Sequence, residues 1–288
     1  MEIFLDCLPC MLKQVLGASR MATNHEKIRE KILIDSSKIL SNYKQFRCSP
    51  ELALAMHDTV KTHTKKNDPY DIIKENDIKT SLKIYPMLKS FLDKNNNSLY
   101  NALKISATGN IIDSAVYNDL DIESCVENEL NKDFGICDIE IFMEKLKDAK
   151  TLLIIGDNSG ETVFDKVLIE YLSPLKVTYA VRSAPIINDA TIEDAKKSGL
   201  DECSTIISTG CNAPGAVLKR CNKEFLDIFN SSDIVISKGQ GNYEALSDCE
   251  REVFFMLNAK CPVVSNKIGV DLYSYVFMRH DPHSNRLR

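Results

Sequence analysis

Polar loops that contain glycine follow several short apolar runs in the second half of the chain. In segment 156–161 (GDNSGE), Asp157 and Asn158 come directly after the apolar run 152–155, and Asp189 lies in the loop after 177–181. Carboxylate and amide oxygens are hard ligands of the kind that Mg²⁺ and Mn²⁺ prefer in proteins, and other divalent ions could bind them too. We therefore expect Asp157, Asn158 and Asp189 to form a divalent-metal site.

Two basic residues lie in the same set of loops. Lys238 stands on a glycine-flanked turn, where its ammonium group and the backbone N–H groups of Gly239 and Gly241 could meet a phosphate. Arg182 follows another apolar run and could hold an anion through two parallel hydrogen bonds. Phosphate-ester chemistry requires a metal that polarises the phosphoryl group and donors that neutralise its oxygens. The loops together favour that chemistry.

Each loop taken alone has an ordinary structural explanation. Asp157 or Asn158 could cap a helix after a turn, and Asp189 could do the same. Lys238 could be a surface lysine, and Arg182 could be one partner in a structural ion pair. What favours a functional site is that these loops follow successive predicted strands, because ligands of open parallel sheets bind outside the carboxyl ends of the strands.

Short strands alternate with helix-length segments from about residue 105 onward. The clearest strand-like runs are 152–155, 177–181, 204–207 and 234–236, and we expect Val263 and Val264 to form a further strand. Continuous apolar strands separated by helices are typical of a parallel sheet covered on both faces. The pattern therefore predicts an α/β fold with a Rossmann-like, doubly wound, mainly parallel sheet. Residues 106–288 are assigned to this catalytic domain.

The first 105 residues have a different pattern, with helical spacing and almost no strand-like runs. Leu8, Met11, Leu12, Val15 and Leu16 recur at intervals of three and four, which indicates one apolar face of a helix. Similar spacing recurs in the segments that follow. We expect residues 1–105 to form a helical N-terminal domain, a bundle that packs against the sheet.

Cys7 and Cys10 form a single Cys-x-x-Cys motif near the start of the chain. A structural zinc site normally needs a second such pair. A thioredoxin-like redox site would need a preceding strand, which residues 1–6 hardly provide. Two interpretations stay open: buried cysteines at the start of a helix, or a metal or redox role.

Composition excludes several classes of function. Among 288 residues, 36 Lys and Arg stand against 41 Asp and Glu, a net charge of −5, with no dense basic block. Nucleic acid is therefore not expected as a partner. No uncharged apolar run approaches the roughly 18 residues of a membrane helix, so no membrane is expected either. Ten cysteines in a long chain without an export signal indicate reduced thiols and a cytoplasmic protein.

Three segments resemble, in the same order, the signature motifs of the metal-dependent damage-control phosphatases. These segments are 156–161 (GDNSGE), 182–191 (RSAPIINDAT) and 237–244 (SKGQGNYE). Features similar to the prokaryotic subgroup of that family are the Cys-x-x-Cys motif, Asp68-Pro69-Tyr70 with Lys74, and Gly109-Asn110 with Asp113. The resemblance covers nearly the whole chain.

The resemblance implies a Rossmann-like domain with a helical N-terminal bundle. It also implies hydrolysis of small phosphometabolites, such as sugar phosphates and damaged or surplus phosphorylated intermediates. The residues it assigns to a divalent ion (Mg, Mn, Co or Ni) and to catalysis are Asp157, Asn158 and Asp189. Residues assigned to substrate binding, with Lys238 meeting phosphate, are Glu161, Arg182, Lys238, Asn110 and Asp113.

The leading hypothesis is thus a metal-dependent phosphomonoester hydrolase. The attacking group could be a metal-activated water, which needs fewer assumptions, or a carboxylate that forms an aspartyl-phosphate. One alternative is a methyltransferase that uses S-adenosylmethionine, since a glycine-containing loop follows the first clear strand and an acid follows the next. Another is a non-catalytic metal- or metabolite-binding protein, which the Cys-x-x-Cys motif and the helical N-terminus motivate. The sequence leaves the physiological substrate, the preferred metal and the oligomeric state open.

Overall fold

A computed structural model describes residues 1–111 and 122–283 of the chain. The helices are α1 Cys7–Ala22, α2 Glu26–Ser41, α3 Ser49–Thr64, α4 Asp71–Lys94, α5 Leu99–Thr108, α6 Ile122–Leu130, α7 Ile139–Leu146, α8 Glu161–Tyr171, α9 Ile192–Lys197, α10 Lys223–Ser231, α11 Gly239–Leu246 and α12 Pro262–Ile268. The strands are β1 Phe134–Cys137, β2 Thr151–Ile155, β3 Lys176–Val181, β4 Thr205–Ser208, β5 Ile234–Lys238, β6 Val253–Asn258 and β7 Tyr275–His280. None of these helices is long and apolar enough to cross a membrane.

The strands form one seven-stranded sheet in the order β1-β7-β6-β5-β2-β3-β4. Strands β6, β5, β2, β3 and β4 are paired in parallel. The other two strands run in the opposite direction, because β7 pairs antiparallel with β6 and β1 pairs parallel with β7. The predicted mainly parallel α/β fold is confirmed.

Alternating side chains of the central strands supply two different cores. Leu152 and Ile154 of β2 point into one apolar cluster, whereas Leu153 and Ile155 point into a second cluster on the opposite face. Successive side chains of a strand face opposite ways, so an apolar run such as 152–155 requires helices on both sides. This burial holds the strand ends rigidly, and the polar loops begin there.

The N-terminal helices pack in two ways. Helices α1, α2 and α3 share an apolar cluster that includes Val15, Ile32 and Leu52. Helices α4 and α5 instead contribute side chains such as Leu88 and Leu103 to the core on one face of the sheet. The division of the chain into domains at residue 105 stays a prediction.

One predicted element is wrong. Val263 and Val264 lie in α12 and not in a strand. Pro262 occupies the first turn of this helix, a position that suits its fixed φ and missing N–H. Val264 is buried on one face of the helix. A short apolar pair has no periodicity that distinguishes a strand from a buried helix, so the local pattern was ambiguous.

Candidate active site

The loops that follow β2 and β3 are joined by backbone hydrogen bonds. The N–H of Ser159 donates to the carbonyl of Asn188 at 2.8 Å, and the N–H of Ala190 donates to the carbonyl of Asp157 at 2.8 Å. Asn158 and Asp189 face each other in an isolated antiparallel bridge. The structure thus brings Asp157, Asn158 and Asp189 to one place at the carboxyl edge of the sheet.

Arg182 lies between the two carboxylates. It directly follows β3, and its side chain is only 1% exposed. Its Nε donates a 2.7 Å hydrogen bond to Oδ2 of Asp189, and one terminal nitrogen lies 3.9 Å from Oδ1 of Asp157. Neither terminal nitrogen has a hydrogen-bond partner among the residues that the structure describes. The guanidinium therefore retains donors for another group.

Burial and nearby charges act on the two carboxyl groups of Asp157 and Asp189. Burial raises the pKa of Asp157, the negative charge of Asp189 raises it further, and Arg182 opposes both effects. Burial likewise raises the pKa of Asp189, and the ion pair with Arg182 offsets part of that increase. One guanidinium thus does not fully compensate the two carboxylates. A further cation beside them would favour their charged forms.

Gly239 makes room for the carboxylate of Asp157. Its φ of +78° lies in the left-handed region, and a Cβ atom at this position would be 1.9 Å from Oδ2 of Asp157. Asn242, in the first turns of the helix that Gly239 begins, donates a 3.0 Å hydrogen bond to the carbonyl of Gly156. The loops after β2 and β5 therefore fit together only with a glycine at position 239.

Glu161 connects the predicted metal ligands to a second loop. It is the first residue of α8 and is 1% exposed. Its Oε1 accepts a 2.9 Å hydrogen bond from Nδ2 of Asn158 and a further one from Nδ2 of Asn110. Burial raises the pKa of Glu161 to about 7, with Lys238 opposing and Asp157 adding to the shift. Glu161 thereby fixes which way the Asn158 amide points.

Lys238 is enclosed by protein groups. Its side chain is 2% exposed, and Nζ donates to the carbonyl of Ser106 at 2.9 Å and to the Ser106 hydroxyl at 3.0 Å. Nζ also pairs with Asp165 at 2.5 Å and lies 3.4 Å from Oε2 of Glu161. An ammonium group has three donors, and these partners account for them. The expected contact of Lys238 with phosphate stays a prediction.

Sequence reasoning missed Asp165, which lies at the centre of this buried network. Its carboxylate accepts hydrogen bonds from Ser106, Lys238 and the Tyr179 hydroxyl. One signal in the sequence pointed to it. Asp165 stands four residues after Glu161, so both acids lie on the same face of one helix.

The N-terminal helices hold the loop that carries Asp189. Lys74 of α4 pairs with Asp68 at 2.7 Å and with Asp194 at 2.9 Å. Asp194 in turn forms a capping box with Thr191 at the start of α9. On the other side, Lys61 of α3 donates to the carbonyl of Pro185 within the same loop. The helical part of the chain therefore contributes to the geometry of the site.

Two other sequence expectations concern the chain outside this cluster. Asp113 lies outside the described residues. Cys7 lies half-buried in the first turn of α1 and Cys10 is exposed, and both carry free thiols. Burial raises the pKa of both thiols. A metal or redox role for this pair stays a prediction.

The fit of a divalent ion depends on the donors around Asp157. Within residues 1–111 and 122–283, no three His, Cys, Asp or Glu side chains form a group that could hold a metal ion. The predicted set has two carboxylates, and its third member is the amide of Asn158, whose Nδ2 is engaged by Glu161. That leaves the amide oxygen as a ligand. Such an all-oxygen set suits an ion that keeps part of its water shell, as Mg²⁺ does.

The same architecture occurs in known proteins. A sequence model of the damage-control phosphatase ARMT1-like domain matches residues 3–276 of this chain. A damage-control phosphatase of Pyrococcus horikoshii is 36% identical over 97% of this chain and 99% of the relative. A damage-control phosphatase of Archaeoglobus fulgidus is 29% identical over 94% of this chain and 97% of its own.

A solved structure agrees with these relatives. The crystal structure of a DUF89 family protein from Pyrococcus horikoshii superimposes with a TM-score of 0.90 at 34% identity, over 97% of this chain and 99% of that chain. The relatives named as phosphatases support a phosphatase role here. With its fold and nearly all of its length matched, this chain belongs to the damage-control phosphatase ARMT1-like family.

Proposed function

We propose that this protein is a metal-dependent phosphatase that hydrolyses small phosphomonoesters, such as sugar phosphates or damaged or surplus phosphorylated intermediates. The observation that carries the proposal is the juxtaposition of Asp157 and Asp189. Two carboxylates from neighbouring loops, Asp189 buried and Asp157 with its side chain 13% exposed, lie against one arginine, and burial and nearby negative charge raise the pKa of each above its ordinary value. A divalent cation would relieve that excess of negative charge.

The ligands that we assign to the divalent ion are Asp157, Asn158 and Asp189. When bound, the ion supplies charge that polarises a phosphoryl group and lowers the pKa of a water molecule. The chain supplies the geometry. Glu161 holds the Asn158 amide by a 2.9 Å hydrogen bond, and the glycine at position 239 leaves space for the Asp157 carboxylate.

Arg182 has the donors for a phosphoryl oxygen. Its Nε is occupied by Asp189, whereas its terminal nitrogens have no hydrogen-bond partner in the described part of the chain. Buried donors without a partner are rare in folded proteins and call for a ligand or water. We assign them to the oxygens of the substrate phosphate, where negative charge must be held as the ester bond breaks.

The overall reaction transfers the phosphoryl group to water. A bond forms between the water oxygen and phosphorus, the bond from phosphorus to the leaving oxygen breaks, and the proton released by water ends on the alcohol or in solvent. Direct attack by water needs no covalent intermediate. The family match supports this reaction class over a methyltransferase.

The experiment is a panel of phosphometabolites and a generic phosphate ester, incubated with the purified protein after chelation and then with Mg²⁺, Mn²⁺, Co²⁺ or Ni²⁺. We expect phosphate release that is lost on chelation and restored by at least one ion. Asp157→Ala and Asp189→Ala should abolish it. Release that is unaffected by chelation, or by both substitutions, would overturn the proposal. Tight metal binding without any hydrolysis would instead favour a binding protein.

A further inference from the structure

Lys260 is an exposed basic residue at the same edge of the sheet as the candidate site. It follows β6, which pairs in parallel with β5. The loop after β6 therefore opens on the same side as the loops that carry Asp157 and Gly239. Sequence analysis did not single out Lys260, because no glycine-containing motif surrounds it.

The backbone of Lys260 is fixed although its side chain is exposed. Its N–H donates to the side-chain oxygen of Gln240 at 2.5 Å, which attaches it to the turn that follows Lys238. The adjacent Ala259 is buried and exchanges backbone hydrogen bonds of 2.8 and 2.9 Å with Tyr273 and Ser274. The side chain thus extends from a rigid point and can move at its far end.

The ammonium group of Lys260 contacts Asn110, a neighbour of Glu161. Nζ donates a 2.9 Å hydrogen bond to the carbonyl of Asn110, the residue whose side-chain amide binds Glu161. Asn110 thus connects Lys260 to Glu161 at the start of α8.

Two other cations in the described loops at this edge, Lys238 and Arg182, are both buried. Lys238 is enclosed by Ser106, Asp165 and Glu161. Arg182 is held against Asp189 through Nε and keeps only its two fixed terminal nitrogens for a ligand. Lys260 has one hydrogen bond from Nζ among the described residues, so two of the three donors of its ammonium group can meet a ligand. An exposed lysine at the edge of the site can turn toward an incoming phosphate dianion, whereas an enclosed lysine cannot.

We propose that Lys260 binds the phosphoryl group of the substrate directly, and that Lys238 acts as a positioning residue that holds Glu161 and Asp165. The inference rests on the proposed phosphatase function. Lys260 would reach the anion by turning from the Asn110 carbonyl toward the phosphoryl oxygens. Charge-assisted hydrogen bonds of this kind are shorter and stronger than the bond to a neutral carbonyl.

The test compares Lys260→Ala, Lys260→Arg and, as a matched control, Lys267→Ala, whose lysine is also exposed but lies in α12. The measurements are kcat, KM and the inhibition constant of inorganic phosphate, in the metal that supports wild-type turnover. Loss of a charged hydrogen bond to phosphate should raise KM and the phosphate inhibition constant roughly tenfold or more in Lys260→Ala. Lys260→Arg should recover most of the loss, and Lys267→Ala should match the wild type.

A purely structural role for Lys260 gives a different result. If the lysine only fixes Asn110, Lys260→Ala will lower kcat or the melting temperature and leave the phosphate inhibition constant unchanged. That outcome would overturn the inference. Wild-type values of both KM and the phosphate inhibition constant in Lys260→Ala would also overturn it.

Failure of the proposed function can be told apart from failure of this inference. If the wild type releases phosphate from no ester, the phosphatase proposal fails by itself. Calorimetric titration with inorganic phosphate and Mn²⁺ then tests the lysine alone. Weaker phosphate binding by Lys260→Ala than by Lys267→Ala would support an anion-binding role, and equal binding would contradict it.

Discussion

A Cβ atom placed on Gly239 would lie 1.9 Å from Oδ2 of Asp157, much closer than a van der Waals contact allows. The two residues come from loops after different strands, so this fit links the β5 turn to the proposed metal ligand. Gly239→Ala should displace the Asp157 carboxylate by about an ångström. Because misplacement on that scale can cost about a hundredfold in rate, we expect a loss of phosphatase activity of that order.

The control for this variant is Gly269→Ala. Gly269 has a φ of +82°, close to the +78° of Gly239, but a Cβ there would meet nothing within 4 Å. Gly269→Ala should lose roughly 1 kcal/mol of unfolding free energy from backbone strain, measured by urea unfolding, and Gly239→Ala should lose more because its Cβ also displaces Asp157. Only Gly239→Ala should lose activity. Equal activity in the two variants would show that the Asp157 carboxylate does not need this space.

The buried pair of Asp165 and Lys238 should behave as one unit. Removal of either partner leaves an uncompensated buried charge, which typically costs about 3–5 kcal/mol of unfolding free energy. We therefore expect Asp165→Asn and Lys238→Met each to be strongly destabilised in urea unfolding. The double variant should be destabilised by much less than the sum of the two.

The exposed pair of Glu75 and Lys79 serves as the comparison for that double-mutant cycle. It lies on the surface of α4, where solvent screens both charges. Replacement of either residue by alanine should leave the unfolding midpoint unchanged. Additive losses for Asp165 and Lys238 would mean that the two residues are not energetically coupled.

His57 should make the protein less stable in mild acid. Its side chain is buried in α3, Nε2 has no hydrogen-bond partner in the described residues, and burial together with the charge of Lys61 lowers its pKa to about 4. The unfolded chain takes up the proton near pH 6.5, so stability is lost as the pH falls from 6.5 toward 4. The neutral His57 side chain thus contributes about 3 kcal/mol to the free energy of unfolding above pH 6.5, and this contribution is lost by pH 4.

The measurement is urea unfolding of the wild type and His57→Gln at several pH values. The difference in unfolding free energy between the wild type and His57→Gln should change by up to about 3 kcal/mol between pH 6.5 and pH 4. This difference cancels the opposing effect of partly buried carboxyl groups such as Glu244. Desolvation raises the pKa of Glu244 to about 7, so its contribution to the free energy of unfolding falls as the pH rises. A difference that is independent of pH would contradict a buried, neutral His57.

The sequence predicted the central strands because they are buried on both faces. An apolar run such as 152–155 can satisfy that burial only as a strand between helix layers. The sequence did not predict β1. This strand has only four residues, lies at the edge of the sheet and contains no buried residue, so it lacks the apolar pattern of a central strand. β6 carries the same continuous apolar pattern as β2, so the same reasoning could have found it.

The site was predictable where its residues follow strands and not where distant segments meet. Asp157 and Asp189 could be placed at one edge because parallel strands end together. No local pattern shows that Ser106 of α5 meets Lys238, since that contact spans 132 positions in the chain. The exposed Lys260 has no glycine-containing motif around it, and its neighbour Asn110 lies 150 positions away, so no local pattern indicates it.

The central claim is that Asp157, Asn158 and Asp189 bind one divalent cation. Its most direct test is a titration of chelated protein with Mn²⁺, followed by electron paramagnetic resonance, for the wild type, Asp157→Asn and Asp189→Asn. We predict one strong site per chain in the wild type and affinity at least roughly tenfold weaker in each variant. Wild-type affinity in both variants would contradict the account.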